Sequence, residues 1–397
     1  MIAQKVDFKK DCNLAIFETG KIEEITSDSY ISGTWSYFEE LPDAAMIAQF
    51  LCLEKDIKAA CPDHLSEEWD RVNSLMSAVK KSLVTAKVDC VNNCIYELIP
   101  EHILLNFYGV KNRITKHVIK HHKKPEVYDH LIAASKLILD IKKRAVNVDM
   151  KSLKSSLGPT KINRFYKKLK KTKMVVDYDI FGTKTGRLTC KRGTFPILNL
   201  DKDLRQFIVP SNDLFLELDI NGAELRAMLF LLEKEQPDLD IHDWNQTKVF
   251  KGSVTREEAK KRVFAWLYND ESKDTALNGE YDRDSLKNKY FSGESIVTPY
   301  GREIKCDEYH SINYLLQSFS NDILLEQAYN INNFLNASDS GVCFLMHDSI
   351  ILDFSKKDVN IVESLISMFE NTKHGKTKAN VRIGKNLGDL RELKWKK

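Results

Sequence analysis

Apolar positions follow two rhythms along this chain, and the change near residue 214 organises the whole reading. Before it, apolar residues recur at helical spacing over residues 43–53, 67–83 and 127–144, which predicts three amphipathic helices. The third helix is followed by Gly158-Pro159 and a lysine-rich segment, which suits a helical arm that tracks a phosphate backbone. From 214 onward, strand and helix alternate. An apolar run at 214–218 leads into Asp219, and a helix is expected over about 223–232. Two further apolar runs, 342–346 and 350–354, flank His347-Asp348-Ser349 and read as a β-hairpin with a polar tip. The mixture predicts an α+β domain.

Composition agrees with a folded protein of more than one subdomain. The chain has 397 residues, 43% hydrophobic and 29% charged, with 16 Gly and 9 Pro, too few for a disordered or fibrous chain. Charge changes the picture more. The net charge of +3 hides a segment, 111–173, with 19 Lys or Arg against 4 Asp or Glu; it carries +15 and leaves −12 on the remainder. A polyanion is the natural partner of such a segment, and a lysine-rich solvated surface is the alternative. The eight cysteines lack the spacing of a secreted disulfide scaffold, no segment reaches the length of a bilayer span, and the N-terminus has no leader pattern, so a cytoplasmic protein without a membrane partner is expected. Cys61, His64, Cys90 and Cys94 have a spacing that could ligate zinc, although free buried cysteines are commoner.

Two constellations carry chemistry. Asp219 and Asp348 each stand where an apolar strand ends, an expensive place for charge unless a cation occupies the site. Brought together, two such carboxylates would hold a pair of hard divalent ions suited to in-line nucleotidyl transfer; read singly, each is also a common turn residue. The second constellation is Arg256, Lys260, Phe264 and Tyr268, spaced by four, with Thr255 and Glu258 framing a helix start as a capping box. They form a stripe roughly 18 Å long that could span an extended nucleotide, phosphates toward the helix N-terminus and base toward the aromatic pair. The alternative is a basic surface helix with an aromatic core face.

In order along the chain, these segments resemble the motifs of family A (bacterial polymerase I-like) DNA polymerases, from about residue 178 to the C-terminus. Thr185-Gly186-Arg187-Leu188, Asn199 and Arg205 resemble the primer-template segment. Asp219-Ile220-Asn221-Gly222-Ala223-Glu224-Leu225-Arg226 resembles motif A, and His347-Asp348 motif C. Asp240-Ile241-His242 and the four-residue stripe resemble the nucleotide-binding fingers, and Asn313 with Gln317 the minor-groove readers. The resemblance implies a right-hand polymerase fold with an antiparallel-sheet palm, a helical thumb and short helical fingers: an N-terminal segment over 1–60, thumb 61–175, palm 176–235, fingers 236–297 and palm again 298–397. It is similar to a compact, viral or phage-type member.

By that resemblance Asp219, the Ile220 carbonyl and Asp348 would bind two Mg2+ ions, with Mn2+ able to substitute. His242, Arg256 and Lys260 would grip the triphosphate, Lys260 would supply the leaving group's proton, and Tyr268 would stack near the nascent pair. Arg187, Asn313, Gln317 and His347 would touch DNA, the first three in the minor groove. Glu224 would exclude a 2′-hydroxyl and so favour deoxynucleotides, while Phe264 stands where tyrosine-bearing members accept dideoxynucleotides more easily.

The implied partners are primer-template DNA, dNTPs and a separate exonuclease or processivity factor, since the residues before the matched segment are too few for a proofreading domain and a thumb together. Three departures stand out. Ser349 occupies the place of a second acid, Asn269 that of a glycine whose positive φ asparagine can also adopt, and the fingers are short. The rival readings are a single-subunit RNA polymerase-like enzyme, against which Glu224 and Phe264 argue, and a catalytically inactive polymerase-like DNA-binding subunit.

Overall fold

The computed structural model describes residues 2–7, 12–25, 35, 37, 39, 41, 45–53, 56–90, 93–269 and 272–393. The chain divides into two compact units, Met1–Ile132 and Ala133–Lys397, and the basic segment 111–173 contributes to both. Among the described residues no helix is long and apolar enough to cross a membrane.

In the first unit, β1 (Ala3–Asp7), β2 (Cys12–Phe17) and β3 (Ile22–Glu24) form an antiparallel meander. Two long helices, α1 (Asp63–Thr85) and α2 (Glu101–His121), pack together. Helix α1 buries Leu65, Trp69, Val72 and Met76, a spacing of three and four that keeps one face inward. Val6, Ile16, Met76, Leu104 and Tyr108 make a shared core, and the Tyr108 hydroxyl donates to the Val6 carbonyl at 2.7 Å. The helix expected over 43–53 reduces to Ala48–Leu51. Leu53 takes φ 54° and breaks the run, and residues 42–44 lie outside the described residues.

The zinc spacing is not realised. Cys61 and Cys90 are free thiols, Cys94 is disulfide-bonded, and His64 packs edge-on against His117 with ring centroids 6.1 Å apart. Among the described residues no three His, Cys, Asp or Glu side chains gather as metal ligands.

The helix predicted over 127–144 spans Tyr128–Lys143. The second unit is built on a five-stranded antiparallel sheet. Its strands are β4 (Leu214–Ile220), β5 (Gly341–Met346), β6 (Ser349–Phe354), β7 (Ala379–Gly384) and β8 (Arg391–Glu392), in the order β8-β7-β4-β6-β5. Every residue of β5 and β6 is buried, as their unbroken apolar runs require. Strand β5 forms one edge of the sheet. There the buried Tyr178 hydroxyl donates to the Leu345 carbonyl at 2.8 Å and accepts from the Leu345 N–H at 2.9 Å, so a side chain satisfies the backbone that a further strand would have paired.

Three helices border the site: α3 (Ala223–Leu231), α4 (Arg256–Tyr268) and α5 (Glu308–Phe334). Helix α3 follows β4 directly. Its N-cap is Gly222, with φ of 63°, where a Cβ would come within 2.2 Å of the Ile241 side chain, so only glycine fits. Helix α4 starts with the expected capping box: Thr255 N–H donates to Glu258 at 2.8 Å, and Glu258 N–H to the Thr255 hydroxyl at 3.3 Å. Its C-terminus differs from expectation. Asn269 has φ −119°, an extended conformation, and the Arg283 guanidinium instead caps the carbonyls of Trp266 and Asn269.

Helix α5 packs on α3 and the back of the sheet, and buries Asp322 completely against Arg302 at 2.7 Å. The same Arg302 guanidinium closes on Gly186, and Asn321 of α5 donates to the Gly186 carbonyl at 3.0 Å, which fixes the 183–188 loop to this helix.

Candidate active site

Strand register brings the two aspartates together. Asp219 lies opposite Ser349 across the β4–β6 pair, one residue from Asp348 at the hairpin tip, and Ile220 N–H donates to the Asp348 carbonyl at 3.1 Å. The tip itself is a two-residue turn, because Met346 pairs with Ser349 and leaves only His347 and Asp348 between the strands. His347 sits at φ 54°, in the left-handed region, so the turn is held in a conformation that costs energy for a residue with a Cβ. On the other side of β4, Asn380 of β7 donates to Asp219 Oδ2 at 3.0 Å.

Both carboxyls are poorly solvated. Burial raises the Asp219 pKa, with the Asn380 hydrogen bond opposing it. Burial likewise pushes Asp348 up to about 6; Arg187 opposes the shift, whereas the negative charges of Glu224 and Asp219 add to it.

These residues line a cleft of about 660 Å³ within the second unit. Arg187, Ile220, Glu224 and His347 face it from the sheet side, and His242, Lys260, Phe264 and Tyr268 from the helical side. Helix α4 presents three of its four stripe residues, Lys260, Phe264 and Tyr268, to the cleft: Ala259, Val263, Trp266 and Leu267 form the core face, while the Phe264 and Tyr268 rings stack with centroids 6.0 Å apart and planes within 9°. The aromatic pair is therefore not the core face. Lys260 lines the cleft and has no acidic partner among the described residues.

Glu224 is buried and bridges two elements. It accepts from Arg187 at 2.7 Å and from the Tyr268 hydroxyl, and burial together with this carboxylate pushes the Tyr268 hydroxyl above its ordinary range. His242 is also buried; its Nδ1 has no hydrogen-bond partner among the described residues, and desolvation lowers its pKa.

Three expected residues stand outside this cleft lining. Arg256 is held by Asp243 at 2.8 Å and Asp240 at 3.0 Å. Asn313 and Gln317 hydrogen-bond to each other on α5, further toward its N-terminus than the cleft-lining Asn321.

Other members of the site carried no signal of their own in the sequence. Asn380 belongs to a strand without clear alternation, and Glu217 is hidden inside the 214–218 run. Asn221 donates to Asp240 at 2.6 Å and accepts from Ile241 N–H at 2.8 Å, tying the strand end to the His242 turn.

An antiparallel sheet with paired carboxylates at its turn end, backed by one long helix and faced by another, defines the polymerase-domain fold of the right-hand class. Among solved structures, the chain is similar to the POL domain of Pol1 from M. smegmatis, determined in complex with a DNA primer-template and dNTP. The TM-score is 0.58 at 11% identity, over 75% of this chain and 77% of that one. No protein-family model matches the sequence, and no curated protein matches it.

Proposed function

We propose that this protein is a template-directed DNA polymerase that adds deoxynucleotides to a primer 3′-hydroxyl. The observation that carries the reading is the meeting of Asp219 and Asp348 on adjacent strand ends in one cleft with Lys260.

The donor set fits hard divalent cations. Two carboxylates that burial makes costly, with the Ile220 carbonyl beside them, are oxygen ligands whose charge a cation would offset. Mg2+, or Mn2+ in its place, would be held by Asp219, Ile220 and Asp348, and would supply activation of the 3′-hydroxyl and charge neutralisation at the triphosphate. The chain's own groups do the rest. Lys260 Nζ would meet the phosphates and deliver a proton to the departing pyrophosphate oxygen. His242, with an unpaired ring nitrogen, would donate a ring N–H to the same anion. Arg256 would join them after exchanging Asp240 and Asp243 for phosphate. The stacked Phe264 and Tyr268 rings would offer a flat surface to base and sugar, and Glu224, which lines the same cleft, would fill the space beneath the sugar. Arg187, Asn313, Gln317 and His347 would contact primer-template DNA.

Primer extension tests the reading directly. Wild type should extend a primer with dNTPs and Mg2+, poorly with ribonucleotides and not at all without metal, and Asp219→Ala and Asp348→Ala should each be inactive. Ribonucleotide preference would identify the RNA polymerase-like alternative. DNA binding with no extension by wild type would identify an inactive subunit.

A further inference from the structure

Arg256 stands one turn before Lys260 on α4, yet of the two only Lys260 lines the cleft. Each nitrogen of the Arg256 guanidinium faces a different acid. Nε lies 2.8 Å from Asp243, Nη2 donates to Asp240 at 3.0 Å, and Nη1 donates to Glu257 at 3.3 Å. The cation nearest the start of α4 is therefore engaged on three sides, and it can turn to a phosphate only if these acids let go.

The three acids are not equivalent. Asp240 caps the short helix Ile241–Trp244: its Oδ1 accepts from the N–H groups of His242 at 2.9 Å and Asp243 at 3.1 Å, and its Oδ2 from the Asn221 side chain at 2.6 Å. Those bonds hold Asp240 in place whether or not Arg256 is there. Glu257 is exposed and sits beside Arg256 on the same helix, so it ties α4 to nothing else. Asp243 differs from both. Its carboxylate is half exposed, and Arg256 is its only ion-pair partner among the described residues. A pair as open to water as this one adds little to fold stability. What it does is fasten α4 to the turn that carries His242, with the guanidinium outside the cleft lining.

We infer that Asp243 is a positioning residue that latches Arg256 away from the nucleotide, so that a triphosphate must displace this ion pair before the guanidinium can grip it. The inference rests on the triphosphate-binding reading above. The exchange is feasible because Arg–phosphate contacts are among the strong charge-assisted ones, whereas the half-exposed pair is weak. Asp243 therefore lowers nucleotide affinity by a small factor and sets the KM for dNTP without touching the substrate.

The test measures dCTP binding to the full chain with Mg2+ and no primer-template, by isothermal titration calorimetry. The chains are wild type, Asp243→Asn, Asp243→Ala, Arg256→Gln and the double variant Asp243→Asn with Arg256→Gln. Both Asp243 variants should bind dCTP about two- to fivefold more tightly than wild type. In primer extension they should lower KM for dNTP by the same factor and leave kcat unchanged. Arg256→Gln should weaken binding, and adding Asp243→Asn to it should change nothing further. Thermal unfolding identifies any misfolded variant.

Affinity equal to or weaker than wild type in a folded Asp243 variant overturns the inference. So does an equal gain in the Arg256→Gln background, which would make the loss of one negative charge the whole effect. Unfolding of both Asp243 variants overturns it as well, because the acid would then be structural. Wild type that binds no dCTP, or binds it as tightly after Arg256→Gln, removes instead the triphosphate reading on which the latch depends.

Discussion

Asp348 is a liability in the metal-free fold. Burial raises its pKa from 3.8 to about 6, so between those values the folded chain keeps a proton that the unfolded chain releases. Stability therefore falls as pH rises through that window, and the penalty is fully present above pH 6. Asp348→Asn should stabilise the metal-free protein at pH 7 by roughly 1–3 kcal/mol, seen as a higher denaturant midpoint, and the gain should vanish as the pH approaches 4. The same variant should not extend primers. Glu224 calls for a different measurement. Its removal frees Arg187 and Tyr268 together and, on the proposed reading, would open space beneath the sugar, so Glu224→Ala should incorporate ribonucleotides more readily in primer extension; unchanged discrimination would count against the role. Sequence revealed the residues whose charge conflicts with their neighbours, such as Asp219 and Asp348 at the ends of apolar runs. It did not reveal Asn380, a neutral residue on a weakly patterned strand whose importance comes only from register with Asp219.

The elements were legible where one physical rule dominated. Strand β4 and the β5–β6 hairpin followed from apolar runs, and α4 from its capping box and spacing of four. Helix α5 was less legible because tertiary contacts override its period: Ser311, Ser318, Ser320, Asn321 and Asp322 are buried beside leucines and isoleucines. Such a helix needs polar partners inside the unit, and Arg302 is the main one for Asp322. Arg302→Met should therefore cost about 3–5 kcal/mol by stranding a buried carboxylate, measured by chemical denaturation. Pairing it with Asp322→Leu should recover most of the loss. Because Arg302 also packs on Gly186, the single variant should loosen the loop that presents Arg187.

At the scale of the whole molecule, charge separation is the feature that sequence displayed most openly, and structure qualifies it. Some of the basic charges are already paired, Lys142 with Asp177 and Lys161 with Asp203 among them. Lys167, Lys168 and Lys171 are exposed and have no acidic partner among the described residues. Replacing these three with alanine should reduce the salt dependence of duplex DNA binding by a slope of about three, read by fluorescence anisotropy between low and moderate salt, while primer extension at low salt persists. The β5 edge of the five-stranded sheet has a consequence for how copies of the protein coexist. The phenol of Tyr178 acts as a single-residue stopper on Leu345, occupying hydrogen bonds that would otherwise invite a foreign strand. Tyr178→Phe keeps the ring and removes the stopper. It should yield a protein that clumps with time and concentration, detectable by light scattering, and the first casualty of that self-association would be the hairpin bearing Asp348.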